Sequence, residues 1–359
     1  HDSVAFKNVI ANGLVLDKDG NKMSKRLGNA VDPFETISKF GPDATRWYMI
    51  SNANPWDNLR FNVERIGEVQ RKFFGTLYNT YNFFALYANL DGFSFEQASI
   101  PLLERTESDR WILSRLNSLI KTVDDAYAQY EPTKATRLIT DFVTDEMSNW
   151  YVRLNRKRFW KGEYNDDKKA AYQTLYTCLL TIAKHGAPVA PFYMEHLYQD
   201  LNQVTGMEDS SSIHLTDFPL VDEACINTDL EQKMSLAQTI SSLTHSIRKK
   251  EKLKVRQPLT KIMIPVLDEK IKHQIEEVTE LIKSEINVKE IAFLHDTSGV
   301  LVKKIKPNFR VIGQKFGPKV KFIAAAVNQW GQKEISAIET AGAYEIVIDE
   351  EPLKLALED

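Results

Sequence analysis

The 359-residue sequence lacks several features that would assign it to a broad class at once. Its two cysteines, Cys178 and Cys225, are far apart and form no CxxC pair, which excludes a disulfide framework and favours a reducing cytoplasm. No apolar run approaches the roughly 20 residues that span a bilayer, and no signal-peptide pattern opens the chain. The chain contains 46 Lys and Arg and 49 Asp and Glu, so its formal net charge at pH 7 is -3. Any nucleic-acid binding must therefore depend on local basic patches.

The sequence does have enough apolar side chains for ordinary buried cores, at 43%, so we expect two or three globular domains. The chain starts at His1 without an initiator methionine and enters an apolar run almost at once. Residues 353–359 keep an apolar periodicity close to the other end. Both observations predict a piece of a larger protein, cut inside a domain at its carboxyl end.

Residues 1–60 have the pattern of a small α/β segment. Apolar runs predict strands near residues 6–11 and 14–16, followed by a polar turn. Two short helices are then predicted to begin at Asp32-Pro33 and Pro42-Asp43, because proline fits a first helical turn and aspartate complements the helix dipole.

Most of the remaining sequence has helical periodicity. Helix-breaking residues separate five long segments in which apolar residues recur at three- and four-residue steps. They predict a bundle over residues 61–228, followed by a connecting helix and junction over residues 229–260. Residues 261–359 alternate short strands and helices, which predicts a small α/β domain and a mainly α chain overall. The five segments are residues 62–89, 108–130, 132–160, 166–185 and 191–201.

The most specific chemical signal is the segment Lys22-Met23-Ser24-Lys25-Arg26, which follows a predicted strand and turn and precedes a predicted helix. Two lysines on a flexible loop can converge on a polyphosphate, because each ammonium is a mobile charge on a long stem. Such groups can stabilise the charge on pyrophosphate as it leaves the α-phosphorus of ATP. The alternative is a solvated basic turn, which a short motif of this kind often is.

The residues around the motif decide between these interpretations. Together with Gly28-Asn29 and Asp32-Pro33, the segment closely resembles the KMSKS loop of class I aminoacyl-tRNA synthetases in its isoleucine, valine and leucine form. Residues 148–153 and 187–192 resemble the anticodon-binding bundle of that group, and residues 255–259 resemble the junction beyond it. Three further patches resemble the isoleucyl-tRNA synthetases within the family. They are residues 56–61, 78–84 and 306–317.

This resemblance implies the end of a class I catalytic α/β domain, a helical anticodon-binding bundle and a small α/β C-terminal domain. It implies an ATP-binding loop formed by Lys22, Met23, Ser24, Lys25 and Arg26. The resemblance also implies that Lys22 and Lys25 are catalytic, with Lys25 as the first candidate for contact with the transition state. Arg26 replaces the usual final serine, so a guanidinium takes the place of a hydroxyl there.

The same resemblance sets limits on the chain. The family's HxGH signature is absent, and its amino-acid pocket and editing insertion precede the loop, so we expect no activity from this fragment alone. The full-length protein is expected to join isoleucine to tRNA(Ile) with ATP, as a monomer, with Mg²⁺ on the phosphates. Zinc is not expected in this fragment, because its cysteines and histidines lack ligand spacing.

Two basic regions are candidate tRNA contacts. In the first, Arg153, Arg156 and Arg158 lie among aromatic residues that can stack on unpaired bases. The alternative is that the aromatics are core and the arginines pair with acidic residues. The second region contains Arg248, Lys249, Lys250 and Arg256, and its alternative is a solvated helix face.

Two other functions remain open at this point. A valyl-tRNA synthetase would share the loop and bundle but would more typically end in a coiled-coil arm, and residues 261–359 show no sustained heptads. A non-catalytic tRNA-binding module would share the bundle but would have no evident use for the loop lysines.

Overall fold

The computed structural model describes residues 4–94, 98–266, 268–294, 304–348 and 351–359. The chain divides into two compact units, His1–Ile247 and Arg248–Asp359. The mainly helical fold predicted from the sequence is confirmed. Within the described residues, no helix is both long enough and apolar enough to cross a bilayer.

The first unit begins with a minimal α/β segment. Strand β1 (Val15–Leu16) pairs in parallel with β2 (Leu59–Arg60), and helices α1 (Pro33–Phe40) and α2 (Pro42–Asn52) lie between them in the chain. The carboxylate of Asp32 caps α1 by accepting the N–H groups of Phe34 and Glu35, as the Asp-Pro pattern predicts.

The strand predicted near residues 6–11 is wrong. Those residues have no regular structure, and Phe6 and Val9 are 68% and 73% exposed. The apolar pattern alone cannot form a strand, because a strand also needs a neighbour for its backbone hydrogen bonds, and no described residue pairs with this run.

Helices close in position to the predicted ones make up the rest of the first unit. Their inner faces bury large rings such as Trp111, Tyr151 and Tyr172 almost completely. The helices are α3 (Val63–Val69), α4 (Gly75–Asp91), α5 (Glu107–Ala128), α6 (Pro132–Asp141), α7 (Arg153–Trp160), α8 (Asp166–Gly186), α9 (Pro191–Thr205) and α10 (Thr228–Lys250).

Two of the long predicted helices contain π-helical turns. Gln70–Phe74 joins α3 to α4, and Phe142–Val152 joins α6 to α7, without a break in the chain's helical course. A π turn is wider than an α turn and is usually short, so an 11-residue stretch is unusual.

Helix α2 fastens the α/β segment to the bundle. The Asp43 carboxylate accepts the N–H of Tyr193 at the start of α9, and Arg46 Nε donates to the carbonyl of Val189 at 2.8 Å. Burial raises the pKa of Asp43, and the N–H groups at the start of α9 oppose that shift. Trp47 stacks on Phe73 at 4.1 Å between ring centroids. The α/β segment and the helices therefore share one core.

The second unit contains two small sheets. Strand β3 (Leu259–Pro265) pairs in parallel with β4 (Val288–Leu294), and α11 (Glu269–Glu277) and α12 (Thr279–Ile286) connect them. The antiparallel pair β5 (Ala343–Ile348) and β6 (Glu351–Ala356) packs with three helices around a core that includes Ile312, Ile323 and Leu355. These helices are α13 (Phe309–Phe316), α14 (Val320–Val327) and α15 (Gln332–Ala341).

Candidate functional site

The basic loop lies immediately after β1. Asp17 begins a tight turn in which its carbonyl accepts the N–H of Gly20 at 3.1 Å, and the chain then returns so that Lys22 bridges to Leu16. Ser24 starts a single 3₁₀ turn, Lys25–Leu27, by accepting the N–H of Arg26 on its hydroxyl. Gly28 ends that turn at φ 65°, a left-handed conformation that suits glycine.

Asn29 holds this loop in shape from inside. Its side-chain oxygen accepts the N–H of Ser24 at 2.8 Å, and its amide nitrogen donates to Asp17 Oδ2 at 2.8 Å and to the Lys22 carbonyl at 3.3 Å. The bond from Asn29 is the largest of the effects that keep the pKa of Asp17 below its ordinary value. The main chain of the loop is thus fixed at Lys22 and at Ser24, the residue before Lys25.

The side chains of the predicted ATP loop are not all placed alike. Lys22, Lys25 and Arg26 are exposed. Met23 is half-buried and lines an apolar cleft of about 500 Å³ together with residues such as Val31 and Phe61. A fixed main chain with three mobile cationic side chains can surround a polyphosphate, while Met23 anchors the loop to the α/β segment.

Arg158, predicted as a tRNA contact, is used inside the bundle. Its guanidinium donates to both oxygens of the fully buried Asp109 carboxylate, at 2.8 and 2.9 Å, and to Asp167. Burial by itself would lower the pKa of Arg158, but the bonds to Asp109 and Asp167 outweigh it and raise the pKa. Because its charge is already neutralised, Arg158 is not available to an RNA phosphate.

Arg153 and Arg156 are exposed, as an RNA contact requires. Arg153 Nε donates to the carbonyl of Asn149 at 2.7 Å, and its guanidinium lies 5.6 Å from the ring centroid of Trp150. Both arginines line a cleft of about 190 Å³ with Asn79, Ser148 and Asn149. The neighbouring rings of Trp150, Tyr151 and Phe159 are core, whereas Trp160 is 60% exposed.

The second predicted tRNA region needs a correction at Arg248. This arginine is 1% exposed, and its guanidinium donates to the main-chain carbonyls of Lys254, Gln257, Ile286 and Asn287. Arg248 and these four residues all belong to the second unit, so its guanidinium is bound inside that unit and cannot reach RNA. Lys249, Lys250 and Arg256 are exposed.

Comparison with known proteins agrees with this arrangement. The family described as tRNA synthetases class I (I, L, M and V) matches residues 1–62, which include the loop. The family described as the anticodon-binding domain of tRNA ligase matches residues 109–264. The chain belongs to the class I tRNA synthetases.

The individual relatives that the chain resembles include several isoleucine–tRNA ligases. It is 66% identical to the isoleucine–tRNA ligase of Cytophaga hutchinsonii over 94% of its length, and 59% identical to that of Bacteroides thetaiotaomicron over 97%. It is 37% identical to the Thermus thermophilus isoleucine–tRNA ligase over 99%. The predicted resemblance to isoleucyl-tRNA synthetases is confirmed, and the valyl alternative is not favoured. The chain spans about 30% of the length of the first two relatives.

The sequence pattern predicted no role for Asp17, although its carboxylate accepts a hydrogen bond from the side chain of Asn29. A signal was present, because Asp17 opens the Asp-Lys-Asp-Gly-Asn turn and aspartate commonly accepts N–H groups of the following turn residues. The contact to Asn29, 12 residues later, could not be inferred from that local pattern.

Replacing Asn29 by alanine is expected to loosen the loop. The change removes two donated hydrogen bonds and leaves the N–H of Ser24 without its acceptor, a loss on the order of 1–2 kcal/mol. Trypsin should then cleave the 359-residue chain after Lys22, Lys25 or Arg26 about tenfold faster, because cleavage requires local opening. Asn21→Ala is the matched control, since the side chain of Asn21 makes only a 3.5 Å contact with Asp17. Equal cleavage rates in the two variants would refute the bracing role of Asn29.

Proposed function

We propose that this chain is the ATP-loop and anticodon-binding part of an enzyme that activates isoleucine with ATP and transfers it to tRNA(Ile). The observation that carries the proposal is the loop itself, which presents Lys22, Lys25 and Arg26 to solvent from a main chain fixed by Asn29. The 66% identity to an isoleucine–tRNA ligase supports isoleucine as the amino acid.

The loop chemistry follows from the reaction. The carboxylate of isoleucine attacks the α-phosphorus of ATP, the bond to the bridging oxygen breaks, and pyrophosphate leaves with the bonding electron pair. Lys25 and Lys22 stabilise the negative charge that increases on the leaving group, and Arg26 adds a planar donor for phosphate oxygens. Mg²⁺ is included in the proposal as a counter-ion of the ATP phosphates. Among the residues that the structure describes, no group of three or more His, Cys, Asp and Glu could hold a metal.

The bundle is proposed to bind the anticodon arm of the tRNA. Arg153 and Arg156 lie at a polar cleft whose other residues, such as Asn79 and Asn149, carry amide donors and acceptors suited to base edges. Exposed Trp160 lies one helical turn further along α7 and offers a ring for stacking. Lys249, Lys250 and Arg256 are proposed as additional phosphate contacts.

Several wider features belong to the same proposal. The parent enzyme works in the cytoplasm as a monomer, and the isoleucine pocket lies outside this chain. The fragment alone does not activate isoleucine, because it contains no HxGH sequence.

The proposal is tested by titrating the chain with tRNA(Ile) and with a variant that carries a valine anticodon, at low and moderate salt. We expect salt-sensitive binding with about a tenfold preference for the isoleucine anticodon, because each mismatched contact is worth roughly 1–3 kcal/mol. The Arg153→Ala/Arg156→Ala variant should lose most of this preference. Lys134→Ala, at another exposed cation of the same bundle, should keep it. Equal binding of the two tRNAs would contradict an anticodon-reading role for the chain.

A further inference from the structure

A further cation, Arg60, lies on the same small sheet as the first lysine of the basic loop. Strand β1 lies between them, because Leu16 pairs with Arg60 of β2 on one side and bridges to Lys22 on the other. Residues paired across a sheet project to the same face, since side chains alternate along each strand. Lys22 and Arg60 therefore share one face of the sheet, with their Cα atoms about 10 Å apart.

The opposite face of this sheet is apolar. Val15, Met23 and Phe61 all line the apolar cleft, and each of them is adjacent in sequence to one of the paired residues. Neighbours along a strand point to opposite faces. The lining of the cleft and the pairing of the backbone therefore agree that Lys22 and Arg60 point away from the cleft.

Hydrogen bonds hold the main chain around Arg60 in place. The hydroxyl of the buried Tyr48 donates to the Arg60 carbonyl at 3.1 Å and accepts the N–H of Asn62 at 2.9 Å. The N–H of Phe61 donates to the Leu16 carbonyl at 2.9 Å. The base of the Arg60 side chain is thus fixed relative to β1, as a binding residue requires.

The guanidinium of Arg60 lies against the turn that leads into the basic loop. Gly20 of this turn has φ 92°, and a Cβ atom at its position would come within 3.2 Å of Arg60 Nε. The glycine therefore allows both the left-handed backbone and the close approach of the guanidinium. Gly20 precedes Lys22 by two residues, so the charged end of Arg60 reaches the start of the loop.

No carboxylate in the described part of the chain neutralises these two cations. Arg60 and Lys22 are both exposed, and neither forms an ion pair with a described residue. A guanidinium without a counter-charge offers parallel N–H donors, which suit two oxygens of one phosphate, and an ammonium adds a mobile point charge. Two such cations on one face favour a ligand that carries more than one phosphate.

We infer that Arg60 binds the β- and γ-phosphates of ATP together with Lys22, and binds pyrophosphate in the reverse reaction. The inference rests on the proposed function, which supplies ATP as the ligand of the loop. These phosphates are charged both before the reaction and during it. Because Arg60 contacts them in the ground state and in the transition state alike, it lowers the KM for ATP and leaves kcat nearly unchanged.

The test is isoleucine-dependent ATP–pyrophosphate exchange by the full-length enzyme with Arg60→Gln. The KM for ATP and the KM for pyrophosphate should each rise about tenfold, because a charge-assisted hydrogen bond is lost. The kcat and the KM for isoleucine should stay within about twofold of the unchanged enzyme. Arg60→Lys should give intermediate KM values, since it keeps the charge and loses the paired donors. Arg65→Gln is the matched control, because Arg65 is an exposed arginine of α3, outside the sheet, and it should leave every KM unchanged.

Several results would overturn the inference. An unaltered KM for pyrophosphate in Arg60→Gln is one, and an equal rise in Arg65→Gln is another, because it would assign the effect to the overall charge. A rise in every KM with a lower melting temperature would show that Arg60 only packs against the Gly20 turn. Normal exchange with slower transfer of isoleucine to tRNA would assign Arg60 to RNA, since the exchange reaction contains no tRNA.

The proposed function and this inference fail in different ways. If the unchanged enzyme exchanges pyrophosphate with another amino acid and not with isoleucine, the isoleucine assignment is wrong, and the effect of Arg60→Gln is decided with that amino acid. Isoleucine-dependent exchange that Arg60→Gln leaves intact would support the proposed function and overturn the role of Arg60. Absence of exchange with every amino acid would overturn both.

Discussion

Substitution of Lys25 by alanine in the full-length enzyme is expected to lower the rate of isoleucine-dependent ATP–pyrophosphate exchange by about 100- to 1,000-fold. The ammonium of Lys25 is exposed at the start of the 3₁₀ turn, while the main chain of that turn is held by Ser24 and Gly28. Its removal therefore takes away a charge and leaves the loop in place. Because the charge on pyrophosphate develops in the transition state, kcat should fall much more than the KM for ATP rises.

Lys18→Ala is the matched control for this experiment, because Lys18 is an exposed lysine in the turn just before the loop. It should leave exchange within about twofold of the unchanged enzyme, since surface charges away from the reaction contribute little. If Lys25→Ala were to raise only the KM for ATP, the ammonium would serve binding of the ground state. That outcome would contradict its assignment to the transition state.

Replacing Asp109 by asparagine should be the most destabilising single change in the first unit that we predict, at about 3–5 kcal/mol. Asp109 is fully buried and accepts hydrogen bonds from Arg158, from the hydroxyl of Tyr151 at 2.6 Å and from that of Thr106 at 2.9 Å. An amide has the same shape but carries no charge, and one of its two acceptor positions becomes a donor. The guanidinium would then be partly buried without its main counter-charge.

The measurement is urea unfolding in a Trp330→Phe background, so that tryptophan fluorescence reports only the five tryptophans of the first unit. Asp167→Asn is the control, because Asp167 binds the same guanidinium from a side chain that is 49% exposed. Its effect should stay below about 1 kcal/mol. Similar losses in the two variants would show that burial of Asp109 does not decide the strength of this pair.

The features that were predictable from the sequence are those with local causes. The helices follow the spacing of apolar residues, and the start of α1 follows from Asp32-Pro33, whose cap needs only the next two N–H groups. The basic loop and its exposed lysines could be predicted because the residues of the motif are contiguous in sequence. Arg153 and Arg156 were also found as exposed cations, although the cleft beside them was not.

The features that were missed depend on partners distant in sequence. Arg158 and Arg248 look like surface cations in their own helices, but Asp109 and the carbonyls of Ile286 and Asn287 bind them inside the fold. The π-helical stretch in the bundle has the same apolar spacing over short windows as an α-helix, so periodicity did not separate the two. The strand predicted at residues 6–11 failed for the opposite reason, because the apolar pattern was present but no strand in the described part of the chain pairs with it.

The contacts of α2 with the bundle bear on how a chain of this kind can exchange parts in evolution. Asp43 and Arg46 bind the main chain around α9, so most residues at positions 188–193 would still provide their partners after a change of sequence. Trp47 is different, because its ring needs Phe73 and its indole N–H needs the hydroxyl of Thr140. A recombinant that joined this loop segment to a bundle from another enzyme would keep the backbone contacts and lose the side-chain fit. Inheritance of Trp47, Phe73 and Thr140 together would preserve that side-chain fit.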